Sequence, residues 1–287
     1  MKAALTLDDL PRWPHDAYPD GYRPRSVCDA LISGLEHHGI TGVYAFANSK
    51  PLAEDTSLQA ILDTWVAAGH HIGNHTHSHT LISETDAEGY IREIDLAHRH
   101  LGPWLRKAPA LYFRHTLNLW GETEEKLSRV REHIAILGYK IAEVTSWLYE
   151  WDWDRAFRAC LAKGDEAGIR FLQESFIDYV PKQLAYDREG SQALFGRDIP
   201  HVILIHAVPF LGTVMEDFLD ALKKHGVVFT PLEEIADDPL YRRAATFTCP
   251  KFLNYWRKLR WREELPTPAR PRETQGVYKR VVAMGAA

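Results

Sequence analysis

The chain has 287 residues, of which 45% are hydrophobic, 25% charged and 11% aromatic. These are the proportions of an ordinary globular protein, long enough for one large α/β domain or two smaller ones. No run approaches the roughly eighteen apolar residues that span a bilayer, which excludes a helical membrane protein, and no export signal is expected ahead of Asp8-Asp9. The formal charge of −5 is unevenly spread, because Leu240 to Ala287 holds eleven Lys/Arg against three Glu.

Residues 2–7 read as a short apolar strand, and residues 27–38 carry apolar side chains at 27, 31, 32 and 35, a helical spacing closed by Gly39. A strand rich in β-branched and aromatic residues follows at 40–46. The pattern predicts a helix at 58–68, a strand at 71–74, a helix at 84–101 capped by Ser83, and a strand at 110–113. Further helices are predicted at 123–137, 153–161 and 167–186, with a strand at 140–144 between the first two. Residues 201–206 form a dense buried strand, followed by a helix at 214–225, a last strand at 227–229 and a short helix at 232–236.

These are seven strand-then-helix units, which implies a parallel sheet with helices outside. Periodicity alone leaves an open doubly wound sheet and a closed barrel equally open. In both architectures the active site lies at the C-terminal ends of the strands. The domain expectation is a body over residues 1–240 and an extension over 241–287. That extension interleaves its cations with Phe252, Tyr255, Trp256, Trp261 and with Pro266, Pro268 and Pro271. Such a segment is expected to wrap the acidic body or a second subunit rather than bind nucleic acid.

Three features fall at strand ends. Asp8-Asp9 follows the first strand, and two adjacent carboxylates call for something positive between them. One Asp can ligate a metal while its neighbour serves as general base. The run from His70 to His79 holds five of the fifteen histidines, and His75 and His79, four apart, can bind one ion through neutral imidazoles. His70 and His71 read as strand or supporting residues. His206 ends a strongly apolar strand, where an acid or base role becomes plausible once the other two features are present.

Taken in order, these features resemble the polysaccharide deacetylase family, the NodB-homology domain. Thr6-Leu7-Asp8-Asp9 is similar to that family's first motif, Thr-Phe-Asp-Asp. His75-Thr76-His77-Ser78-His79 is similar to its second, and Leu204-Ile205-His206 to its fifth. The resemblance spans residues 2 to 237 and implies a distorted (β/α)7 barrel. It further implies Asp9, His75 and His79 as metal ligands, Asp8 as general base and His206 as general acid.

Two motifs depart from the family pattern. The third, Arg-x-Pro-(Tyr/Phe), becomes Arg114-His115-Thr116-Leu117. Arg114 is expected to orient Asp8, and the Leu117 N–H to serve the oxyanion. In the fourth, Asp-x-x-Asp-Trp, Glu150-Trp151 keeps the final acid and Trp, while Trp147 stands where the first Asp belongs. The usual carboxylate partner of Arg114 is then missing, with Asp152 or Asp154 as candidates to replace it. Leu117, Trp147 and Trp151 are expected to contact substrate.

The function expected is metal-dependent removal of an acetyl or formyl group from a small, intracellular amide or amino-sugar substrate. The alternatives are hydrolysis of an ester or cyclic amide, or a non-catalytic binding protein on the same fold. The ion is expected to be Zn²⁺, with Co²⁺, Ni²⁺, Mn²⁺ and Fe²⁺ compatible with the same ligands. Cys28, Cys160 and Cys249 have neither disulfide-framework nor zinc-ribbon spacing, so a cytoplasmic location is expected. Neither nucleic acid nor membrane is an expected partner, and a homo-oligomer is left open.

Overall fold

The computed structural model describes residues 1–15, 17–241 and 247–286. Arg242 and Arg243, which belong to the basic extension, lie outside the described residues. In chain order the elements are β1 (Lys2–Leu10), α1 (Pro24–His37), β2 (Tyr44–Ala47), α2 (Lys50–Glu54), α3 (Gln59–Ala67) and β3 (His71–Asn74). There follow α4 (Ala87–Leu105), β4 (Tyr112–Phe113), α5 (Glu124–Ile136), β5 (Lys140–Ile141), β6 (Ser146–Trp147), α6 (Glu150–Lys163) and α7 (Glu166–Phe195). The chain ends with β7 (His201–His206), α8 (Pro209–Lys224), β8 (Val228–Phe229), α9 (Leu232–Ala236), α10 (Tyr255–Arg262) and α11 (Arg272–Ala286).

Every strand pairing is parallel, in the order β5-β4-β3-β2-β1-β7-β6, with β8 joined to the start of β1. The sheet curls into a half-barrel inside its helices, the distorted (β/α)7 form. β1 lies at its centre and is buried from Ala3 to Leu10, as a strand covered on both faces must be. Its one hydroxyl, Thr6 Oγ1, donates to Ile203 O at 2.8 Å. Gly73 in β3 has a steric reason: a Cβ there would come within 2.6 Å of the Phe46 ring.

Several boundaries differ from the predicted ones. Ser83 does not cap a helix, because it lies inside a 3₁₀ turn over Ile82–Glu84. The chain extends again at Thr85, and α4 is capped instead by Asp86, whose carboxylate accepts from Gly89 N at 2.6 Å. The strand predicted at 40–46 forms only over Tyr44–Ala47. The sheet also includes β6, and the extension includes α10 and α11, none of which was predicted.

The strand path is open between β5 and β6, and the extension lies along that seam. Tyr255 N donates to Val144 O at 2.7 Å, and Asn254 Nδ2 to Thr145 O at 3.0 Å. Asp187 on α7 ties the region together: it accepts from Ser146 Oγ, Gln183 Nε2, Asn254 Nδ2 and Trp256 Nε1 at 2.6 to 3.1 Å. A fully buried carboxylate is tolerable when it is hydrogen-bonded this completely. Trp256 sits directly on Gly190, where any side chain would collide with its ring. α11 packs on α6 and α7, with Val281 fully buried. Among the described residues, no helix is long and apolar enough to cross a membrane.

Candidate metal centre and active-site cleft

Successive residues of a strand face opposite ways, so Asp8 and Asp9 should not share a site. A bulge resolves this. The β1–β2 register slips between Asp8 and Leu10, and Asp9 has φ 64°, so both carboxylates turn into the cleft at the C-terminal end of the sheet. The same backbone conformation recurs at Thr76 (φ 70°) and His79 (φ 59°). For residues with a Cβ this is strained, and such strain concentrates at functional sites.

The loop after β3 is fixed by side-chain bonds. Asn48 Nδ2 donates to His75 O at 2.5 Å, and Asn74 Oδ1 accepts from Thr76 N at 2.9 Å. His75 Nδ1 lies 2.9 Å from Arg114 O. A carbonyl can only accept, so Nδ1 carries the proton and the Nε2 lone pair faces the cleft. His79 Nε2 is 3.4 Å and His75 Nε2 3.8 Å from Asp9 Oδ1. His77 turns away to Ser49, 2.8 Å from its Oγ. His70 accepts from Val43 N and packs on Trp65, and His71 packs on Tyr44, so both support the fold.

Asp9, His75 and His79 offer one ligand atom each, all within 4.8 Å of one another. Ligands of a tetrahedral ion bound at about 2.0–2.1 Å stand roughly 3.3–3.5 Å apart, so this set needs little closing. Asp9 Oδ1 is buried with no hydrogen-bond partner. Burial drives the Asp9 carboxyl pKa upward despite the nearby imidazoles of His75 and His206. Burial likewise lowers His79 to about 4 and depresses His75, which keeps both imidazoles neutral, the form that ligates metals. The residues fit a divalent ion.

Arg114, fully buried, donates from Nη1 to Asp8 Oδ1 at 2.6 Å and to Thr6 Oγ1 at 3.0 Å, and from Nε to Ala142 O at 3.1 Å. Its guanidinium lies 4.0 Å from the centre of the Phe46 ring, the ring that Gly73 makes room for. Asp8 therefore has one oxygen fixed and Oδ2 free, 3.7 Å from His75 Nε2. Neither Asp152 nor Asp154 pairs with Arg114. Both point off α6 toward other partners: Asp152 accepts from Tyr278 Oη, while Asp154 binds Arg158 and accepts from Phe210 N. Besides Asp8, the carboxylate acting on Arg114 is Glu143, in the segment that follows β5.

His206 Nδ1 is 2.6 Å from Glu150 Oε1, which leaves Nε2 facing Asp9, 3.9 Å from Oδ2. Burial alone would lower the His206 pKa, but Glu150, Asp9 and Asp8 together raise it above its ordinary value. Glu150 thus sets the proton of His206, a pairing that the sequence reading did not assign.

The cleft has a volume of about 220 Å³. Besides Asp8, Asp9, His75, His79 and His206, it is walled by Trp13, His15, Leu117, Asn118, Trp151, Arg155, Leu204 and Phe252. Leu117 sits at the rim with φ 50°. Trp147, expected to contact substrate, is not part of the wall: it is fully buried and stacks under Phe252, with ring centres 4.4 Å apart. Trp13 and His15, in the loop beyond β1, were not singled out, although their place just past a strand end could have marked them. Phe252 carried no such signal, because it comes from the extension.

Residues 2–130 match the family model described as polysaccharide deacetylase. This segment belongs to the polysaccharide deacetylase family. Solved structures extend the likeness over the rest of the barrel. One is a mutant, with restored enzymatic activity, of a CE4 family pseudoenzyme from Bacillus anthracis: 14% identity, 82% of this chain and 67% of that one, TM-score 0.53. Another is a family 4 carbohydrate esterase from Streptomyces lividans in complex with acetate: 16%, 80% and 93%, TM-score 0.50. A third is the T48 deacetylase with substrate: 16%, 86% and 93%, TM-score 0.51. The chain spans about two thirds of the pseudoenzyme's length. At these identities the likeness is one of fold. Comparison with curated proteins by sequence gives no match.

Proposed function

We propose that this polysaccharide-deacetylase barrel is a divalent-metal-dependent hydrolase that removes an acetyl or formyl group from the nitrogen of a small amide or amino-sugar substrate. One observation carries the reading: the buried, unpartnered Asp9 Oδ1 converges with two neutral imidazoles, between a carboxylate held by Arg114 and an imidazole held by Glu150. Asp9, His75 and His79 would hold the ion, Zn²⁺ by preference, whose contribution is Lewis acidity toward the substrate carbonyl and an attacking water.

The protein's own groups would move the protons. Asp8 Oδ2 would take one from the water as it attacks, while Arg114 keeps the carboxylate oriented. His206, protonated at Nε2 and held through Nδ1 by Glu150, would donate to the departing nitrogen, which otherwise leaves as a poor anion. The Leu117 N–H would support the oxyanion at the rim of the cleft. Trp151 would contact the substrate beside His206, with ring centres 5.3 Å apart.

A cleft of about 220 Å³ favours a compact substrate over a long polymer segment, since it is smaller than the roughly 300 Å³ at which drug-sized sites begin. A cytoplasmic location is part of the proposal and accords with Cys28, Cys160 and Cys249, all buried free thiols.

Two linked measurements test the reading. Zn²⁺ at about one hundred times its Kd is expected to stabilise the fold by roughly 2.7 kcal/mol, seen as a rise in Tm that His75→Ala removes. The loaded protein is then expected to hydrolyse members of a panel of N-acetyl and N-formyl compounds. Metal uptake without turnover of any of them refutes the deacylase reading.

A further inference from the structure

The exposed aromatic residue in the cleft wall does not come from the barrel. Phe252 lies in the segment between α9 and α10, and 45% of its surface is open. Its place is nevertheless fixed: one face stacks on the buried Trp147 ring at 4.4 Å and 15°. Two residues on, Asn254 is bonded to Thr145 O and Asp187. A large apolar ring held rigid and half bare inside a cavity is a surface waiting to be covered.

Its direction can be read from its neighbours. Trp151 lies edge-on to His206, with ring centres 5.3 Å apart, and Phe252 stands beyond Trp151 at 6.3 Å. Phe252 is therefore on the His206 side of the cleft. Given the roles in the proposed function, on which this inference rests, that is the side from which the amine departs. We propose that the C-terminal extension supplies a substrate-selecting shelf: Phe252, backed by Trp147, stacks against a flat apolar substituent on the amide nitrogen.

The shelf makes Phe252 a specificity-determining residue, and an N-aryl amide is the substrate class it suits. Ring stacking beyond simple burial amounts to about a three- to tenfold preference. The test measures Kd by ligand-observed NMR on the full-length, Zn²⁺-loaded protein, with acetanilide and N-methylacetamide as probes. The wild type is expected to bind acetanilide more tightly, and Phe252→Ala and Phe252→Leu to reduce the ratio of the two constants by about three- to tenfold. Phe252→Tyr, which keeps the ring, is expected to retain it.

Equal binding of the two probes by the wild type, or a ratio that all three variants leave unchanged, overturns the shelf. So does a loss in Phe252→Tyr as large as in Phe252→Ala, since the effect would then be one of folding. Acetanilide that binds as expected but is never hydrolysed refutes the deacylase chemistry and leaves the shelf standing. Hydrolysis with a ratio indifferent to Phe252 does the reverse.

Discussion

Replacing Asp8 by Asn is expected to lower kcat by about 10²–10⁴-fold on any N-acyl compound the protein hydrolyses, while it still takes up a divalent ion. The asymmetry of the carboxylate explains both halves. Asp8 Oδ1 is held by Arg114 at 2.6 Å, and an Asn oxygen can accept the same bond. Oδ2 is the oxygen left to take a proton, and the amide nitrogen that replaces it has no such capacity. The ligands proposed for the ion are other residues, Asp9, His75 and His79, so its uptake should survive. Asp9→Asn is the contrasting variant: it keeps the proton acceptor but removes the anionic ligand, and its ion content is expected to fall along with its activity. Metal analysis after dialysis, together with kcat, separates the two. An Asp8→Asn protein within tenfold of wild-type kcat would show that Asp8 is not the base.

How much of this was legible in the sequence depended on whether a signal was local. β3, β7 and α9 have the predicted limits because each is bounded by residues that break its own pattern. The two-residue strand β6 exists only through pairing with β7, and no local periodicity specifies a ladder that short. The helices of the extension hide their buried faces among arginines, since Trp256 and Lys258 face inward on the same short helix.

The site divides in the same way. Asp8, Asp9, His75, His79, Arg114 and His206 sit at strand ends, where the architecture directs attention, and the structure gathers five of them around one cleft with Arg114 behind Asp8. Less legible was how they converge. The bulge at Asp9 has no signature in Thr-Leu-Asp-Asp, and Glu150 reaches His206 from 56 residues away. Trp147 misled because alternation along Trp147, Tyr149 and Trp151 suggests a shared face, whereas Tyr149 adopts φ 60° just before α6 and breaks the alternation. That turn sends Trp151 into the cleft wall and leaves Trp147 beneath it.

Removing the cation of Lys258 is expected to destabilise the fold more than any surface change in the basic extension. Lys258 and Glu143 are both fully buried, with Nζ 3.8 Å from Oε2, and the ammonium lies 3.9 Å from the centre of the Trp120 ring. Burial pushes the Lys258 pKa down to about 8 and that of Glu143 upward. Each ion is therefore tolerated chiefly because the other is present. Lys258→Met strands Glu143 in the interior, at a cost of about 3–5 kcal/mol, whereas removing both charges should be close to neutral.

Denaturant unfolding at pH 7 should then find Lys258→Met markedly less stable than wild type, and Lys258→Met combined with Glu143→Gln much closer to it. A double variant no more stable than the single one would show that the cost is lost packing, not a stranded charge. The pH dependence gives a second handle. The folded pKa of about 8 lies below the ordinary 10.5, so between those values the unfolded chain binds more protons. The contribution of Lys258 to stability therefore rises with pH across that window. Lys258→Met removes this rise, so the gap between wild type and variant is expected to widen as the pH is raised from 8 toward 10.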